Sequence, residues 1–307
     1  MRFAVEAWAP DYGSSSGDLD VDAAEVTATV ETSIETPQAS WAPRDGRGAR
    51  CTVTFVDGIS RMDAQVWITD GEDARPGLCA TYAAGAVRCD GRATVTDVRV
   101  RRGLFTASGT ATPIDTKHAS YQVRAATGDL DALSLSVVER MRHLEADVAH
   151  ATTDADLIVL DGLLWGRESV ANAVGYVKTQ KVAYLPAELG AVVDALQPGQ
   201  RTPLFLITTS WTRFSWYVKL PGAHGHRWAG IVRCEATPDR PATEVAALAD
   251  LATGTLPRFA SAPHKDARAP QNLYPIAGLE RELRRRAGDP QLLYRALRAA
   301  AFTATPA

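Results

Sequence analysis

No stretch of this 307-residue chain is apolar for the ~18 residues that a membrane-spanning helix requires. Its first residues, MRFAVEAWAPDYG, lack the apolar core of a secretory leader. Both absences predict an intracellular, cytoplasmic protein without a membrane partner. Cysteine is sparse: four residues, at 51, 79, 89 and 234, with no CxxC pair. That spacing argues against a zinc site and predicts reduced, buried thiols. There is no GxSxG elbow to present a serine nucleophile, and no GxGxxG or Walker A loop to cradle a nucleotide. Internal repeats and heptad arrays are missing too. No charge of one sign dominates: the formal net charge is −3, which excludes no class of partner, since a basic groove can sit on an acidic protein.

What is present suits a sizeable core, with 46% apolar and 22% charged residues. Residues 1–50 predict a short strand, a Gly/Ser stretch, a helix from Asp20 to about Glu35, and an irregular connector, PQASWAPRDGRGAR. Residues 51–307 form the main domain. It opens with an antiparallel meander in which VTFVDGISRMDAQVWITD (53–70) reads as a hairpin turning at 57–60. The period then changes. Leu130, Leu133, Val137, Met141, Leu144 and Val148 predict an amphipathic helix. ADLIVLDG (155–162) follows, an apolar run suited to a strand buried on both faces. Alternating elements lead to a helix opened by Pro275 and closed by Gly288, and then to a last helix. The order predicts one α/β domain with a mixed, extended sheet flanked by helices.

Two apolar strands end in the same pair, Asp57-Gly58 and Asp161-Gly162. As neighbours they would bring two carboxylates to one divalent cation, and Mn²⁺ or Mg²⁺ prefers such hard oxygen ligands. Asp-Gly is also a common turn dipeptide, so the ordinary reading of either is a turn. The intervening helix offers Glu145, at the edge of its apolar stripe, as a third ligand. Glu139, about 200° round from Val137, is the reserve. His224 and His226 are a weaker metal hint in a Gly-rich turn. Basic and aromatic residues recur: Arg99, Arg101 and Arg102; Lys178; Trp211, Arg213, Trp216 and Lys219; Arg281, Arg284, Arg285 and Arg286. Phosphate neutralisation with base stacking is what a single-strand channel uses; solvated surface is the ordinary alternative.

Four blocks together resemble the NurA nuclease family: FVDGISR (55–61); LIVLDGLLWGR (157–167) with GYVKT (175–179); FSWYVKLPG (214–222) with WAGIVRCE (228–235); and PQNLYPIAGLERELRRRAGD (270–289). The resemblance implies an RNase H-like core whose carboxylates bind Mn²⁺ or Mg²⁺ and hydrolyse DNA, exo- and endonucleolytically. It also implies a homodimer working with a hexameric HerA-type DNA-translocating ATPase, in end resection or phage defence. Asp57 and Asp161 match the family's strand acids, and Glu145 matches the helix acid by spacing. Archaeal members carry a His eight residues after the Tyr of a Tyr-Pro pair. Here Tyr274-Pro275 is followed at that position by Glu282, the expected fourth ligand. Lys178 would offset phosphate charge, while Arg61 and Tyr274 are expected nucleic-acid contacts. Two rivals stand beside this reading: a catalytically weakened DNA-binding or ATPase-docking subunit, and a phosphatase or nucleotidase using the same acids on a small substrate.

Overall fold

The computed structural model describes residues 1–5, 28–48, 50–70, 72–180, 182–223 and 225–304. Its centre is a long antiparallel meander of β4 (Val53–Asp70), β5 (Asp73–Cys89) and β6 (Ala93–Thr106). Helix α1 (Leu130–His150) follows, with Asp129 as N-cap accepting from the Ala132 N–H. Strand β9 (Leu157–Asp161) then pairs in parallel with β4 on one side and with β10 (Ala173–Val177) on the other. A parallel strand covered on both faces has no polar face to show, and the LIVL run fits that demand.

The sheet extends antiparallel beyond β10 through β14 (Ile231–Ala236), β13 (Thr212–Lys219), β12 (Phe205–Thr208) and β2 (Thr29–Glu31). On the other side β6 carries β8 (Ser120–Ala125) in parallel. Near the N-terminus, β1 (Phe3–Val5) pairs with the far end of β4, so N-terminal strands join the same sheet. Residues 20–27 of the expected N-terminal helix lie outside the described residues, whereas 29–31 are strand β2. The alternation of exposed and half-buried side chains at Thr29, Val30 and Glu31 suits a sheet edge.

Two layers cover the sheet. Leu133, Val137, Leu144 and Val148 of α1 pack on the face bearing Val56, Tyr82, Ala84 and Leu160. The opposite face, with Phe55, Val159, Val174 and Trp216, is covered by α3 (Ala242–Thr255) and α4 (Tyr274–Ala287) through Val245, Leu248, Ile276, Leu279 and Leu283. Helix α5 (Pro290–Ala304) caps the distal end of β4 with Leu297 and Ala301.

Three expectations are corrected here. Residues 53–70 are one strand, without a turn at 57–60: Asp57 faces Gly85 and Gly58 faces Ala84 in an unbroken ladder. The reversal falls beyond the Asp70–Asp73 pair, and residues 57–60 are held extended by β5. Trp216 and Arg213 belong to no open channel, because both are fully buried. Among the basic residues, Arg99 pairs with Asp97, and Arg102 donates to the Ala287 carbonyl at the end of α4. The cysteines are free, with 79, 89 and 234 buried and Cys51 half-buried.

Candidate metal centre

Parallel pairing sets the two aspartates side by side. The β4–β9 register runs Phe55 with Val159 and Val56 with Leu160, and the next residue of each strand is an aspartate. Alternation puts Asp57 on the face of Phe55 and Asp161 on the face of Val159, beneath α4. Glu280 reaches down from α4, and one carboxylate oxygen from each of Asp57, Asp161 and Glu280 lies within 4.8 Å of the others. Hard divalent cations take oxygen ligands at ~2.0–2.6 Å, so three such oxygens span a distance that one ion bridges.

The surroundings neutralise two of the three acids. The Lys178 ammonium donates to Asp161 Oδ2 at 2.6 Å and to Asn272 Oδ1 at 3.0 Å, and Asn272 is fixed in turn by Asp266. Both Arg268 terminal nitrogens donate to Glu280, at 3.2 and 3.0 Å. Among the described residues Asp57 has no ion-pair partner of its own. Its Oδ1 accepts from the Gly58 N–H at 2.8 Å, whereas its buried Oδ2 finds no hydrogen-bond donor among the described residues. Burial, reinforced by Asp161 and Glu145, holds the Asp57 carboxyl well above the usual carboxylate range. A buried oxygen without a donor, on a carboxylate that belongs to an acidic cluster, fits a cation better than it fits bare protein.

Glu145 approaches from the opposite face. It is buried on α1, and Arg167 donates to its Oε2 at 2.9 Å. Desolvation outweighs that attraction and pushes its carboxyl up to about 7. Room for it comes from Gly58: a Cβ there would stand 2.6 Å from Glu145 Oε1 and 2.9 Å from its Cγ. Gly58→Ala should therefore cost about 1–3 kcal/mol of stability, as overpacking does. In a urea-denaturation cycle, adding Glu145→Ala should recover part of that loss; strict additivity of the two changes would refute the contact.

The structure brings Asp57 and Asp161 together and adds Glu145 and Lys178 at their edge. Glu282 is not with them. It points away from the cluster to Arg285 and Arg286, whose hydrogen bonds pull its carboxyl down to about 2. On α4, with Ile276 at 0°, Glu280 stands at ~40° and Glu282 at ~240°, so the two carboxylates leave the helix on different sides of its buried stripe. Glu139 is exposed beside His143. Arg61 lines the groove at this site, but its guanidinium binds Asp63 and the carbonyls of Ala287 and Gly288, anchoring α4. Tyr274 lines a separate groove, its hydroxyl accepting from the Ala262 N–H. His226 stands on the rim of the acidic groove, and His224 lies outside the described residues.

Sequence reasoning missed Glu280, Arg167, Arg268 and Asn272. Glu280 had a signal, the stripe-edge position that selected Glu145; the others are chosen by tertiary contacts alone. Around the cluster runs a groove of about 1110 Å³, lined by Arg142, Lys178, Arg268 and Arg284 as well as the acids. Chemically, this is a carboxylate cage drawn from within β4, the end of β9 and helix α4, inside a cationic rim. No family model matches the chain, and no curated protein does.

Proposed function

We propose that this chain is an Mn²⁺- or Mg²⁺-dependent nuclease hydrolysing DNA phosphodiester bonds, with Asp57, Asp161 and Glu280 as the metal ligands. The observation that carries the reading is the convergence of one oxygen from each of those three carboxylates within 4.8 Å, with the Oδ2 of the buried Asp57 left without a hydrogen-bond donor among the described residues. The central strand order β6-β5-β4-β9-β10, antiparallel on one side of β4 and parallel on the other, supports an RNase H-like core. A bound ion would supply charge stabilisation to the phosphate and a water of lowered pKa.

The chain's own residues do the rest. Lys178, steadied by Asn272, and Arg268, steadied by Asp266, are cations able to turn from carboxylate to phosphate oxygens. Glu145, near 7 in its titration, exchanges a proton at neutral pH through Oε1, since Arg167 occupies Oε2. By the NurA resemblance, the setting is a cytoplasmic homodimer that processes DNA ends with a HerA-type hexameric translocase, in repair or phage defence. A second reading, a weakened DNA-binding or ATPase-docking subunit, is favoured by one observation: Glu145 is clamped by Arg167 instead of joining the other acids.

The test is Mn²⁺-dependent cleavage of 5′-labelled single-stranded DNA, run beside thermal melting with and without Mn²⁺. The parent should cleave and melt higher with the ion, because a ligand of the folded state stabilises it by mass action. Glu280→Gln should lose both effects and Glu282→Gln neither. A parent that neither cleaves nor shifts supports the weakened subunit. One that releases phosphate only from nucleoside monophosphates is a small-substrate hydrolase.

A further inference from the structure

We propose that the indole of Trp165 is a stacking platform for an unpaired nucleobase, making single-stranded nucleic acid the substrate form this groove accepts. The inference rests on the nuclease reading and specifies its substrate. Trp165 is 47% exposed, against a chain whose other large aromatics are mostly buried. It lines the groove of the acid cluster together with Val182, also exposed at 41%. A flat apolar face in a groove that also carries Arg142, Lys178, Arg268 and Arg284 has no use for the phosphate group those cations would hold. It matches the π-face of a base, which every nucleotide carries.

The indole is also held in place. Its loop leaves β9 directly after Asp161. The Gly162 N–H donates to the Tyr176 carbonyl at 2.9 Å, and the Leu164 N–H donates to the buried Glu235 at 3.1 Å. Gly166, at φ 75°, takes the left-handed turn that lets its N–H reach Glu168. Arg167 then ties the loop back through the carbonyls of Asp161 and Leu163. Trp165 thus stands between two buried residues, Leu164 and Arg167, so little freedom is lost when a base settles on it. In a duplex the bases already stack on one another, and the platform gains nothing without unpairing.

Fluorescence anisotropy of a dye-labelled oligo-dT, measured in EDTA so that nothing is cleaved, tests this. Trp165→Ala should bind the single strand roughly 10-fold more weakly or worse, and Trp165→Phe should restore most of the affinity. Binding of a duplex of equal length should be unchanged. An abasic strand should bind parent and variant alike. The proposal is overturned if Trp165→Ala binds oligo-dT as tightly as the parent. It is equally overturned if the parent ignores single strands, or if single strand, duplex and abasic strand weaken together, which marks a structural role. The two readings fail separately. Binding through Trp165 without Mn²⁺-dependent cleavage sinks the nuclease and spares the platform; cleavage with no effect of Trp165→Ala does the reverse.

Discussion

Asp57→Asn should raise the melting temperature of the metal-free protein and at the same time abolish Mn²⁺-dependent strand cleavage. The two effects have one cause. Asp57 is buried beside Asp161, Glu145 and Glu280, and its Oδ2 receives no hydrogen bond from the described residues. Ionising it without a bound cation is costly, and an amide of the same shape removes that cost. The same substitution removes a ligand. Metal-ion catalysis supplies several kcal/mol of charge stabilisation, so the rate should fall by roughly 10³-fold or more.

The pH dependence carries the sign. Glu145 ionises near 4.5 in the unfolded chain and at about 7 in the folded one. Between those values the unfolded state has released a proton that the folded state retains. Stability of the metal-free parent therefore falls as pH rises through this window, by about 1.4 kcal/mol per pH unit for this group. Asp57 is raised in the same direction, so the advantage of Asp57→Asn should widen with pH. Ion binding needs the ionised acids, so the stabilisation by Mn²⁺ should grow over the same range. Melting curves from pH 5 to 8, with EDTA and with Mn²⁺, read all of this. A variant less stable than the parent in EDTA at the upper end would refute the account.

The second large effect lies away from the cage. Glu235→Ala should cost about 3–5 kcal/mol of stability, the usual result of leaving a buried charge without its partner. Glu235 is fully buried between Arg213, at 3.0 Å, and Arg233, whose nearer nitrogen is at 2.9 Å. Tyr184 lies against both guanidiniums and Trp211 against Arg213, so these cations are almost wholly screened from water. Without the carboxylate, two like charges face each other in the core. The other oxygen of Glu235 holds the Leu164 N–H, so the loop carrying Trp165 and Arg167 is released as well. Glu235→Gln keeps that contact in shape and should cost less than Glu235→Ala. A urea midpoint for Glu235→Ala equal to the parent's would refute the role.

Much of this arrangement was legible in the sequence. The period of α1 was set by its apolar stripe, and the unbroken LIVL run announced a strand covered on both faces. The repeated Asp-Gly after two apolar runs pointed to neighbouring acids, because parallel pairing of β4 with β9 sets the two runs in register. The turn at 57–60 misled for a physical reason. Turn propensity is local, whereas pairing with all of β5 is not, and Asp70-Gly71 offered the same dipeptide where the ladder ends. The choice of Glu282 over Glu280 came from a motif spacing, and a step of two residues on a helix turns a side chain by about 200°. Lys178, Arg268 and Asn272 pair with the acids or with one another only through contacts between distant segments, which no local pattern encodes.

The cage draws its acids from positions 57, 161 and 280, so its assembly is also a matter of time. The first two meet only when β9 slots beside β4, after the meander and α1 have formed. The third arrives with α4, near the end of the sequence. Contacts so far apart along the chain close late in folding. A polypeptide still emerging from synthesis, folding from its N-terminal side, carries no complete cage until α4 has docked. On the proposed nuclease reading, topology is then a safeguard: the carboxylate cage is not complete until α4, far along the chain from β4 and β9, has docked.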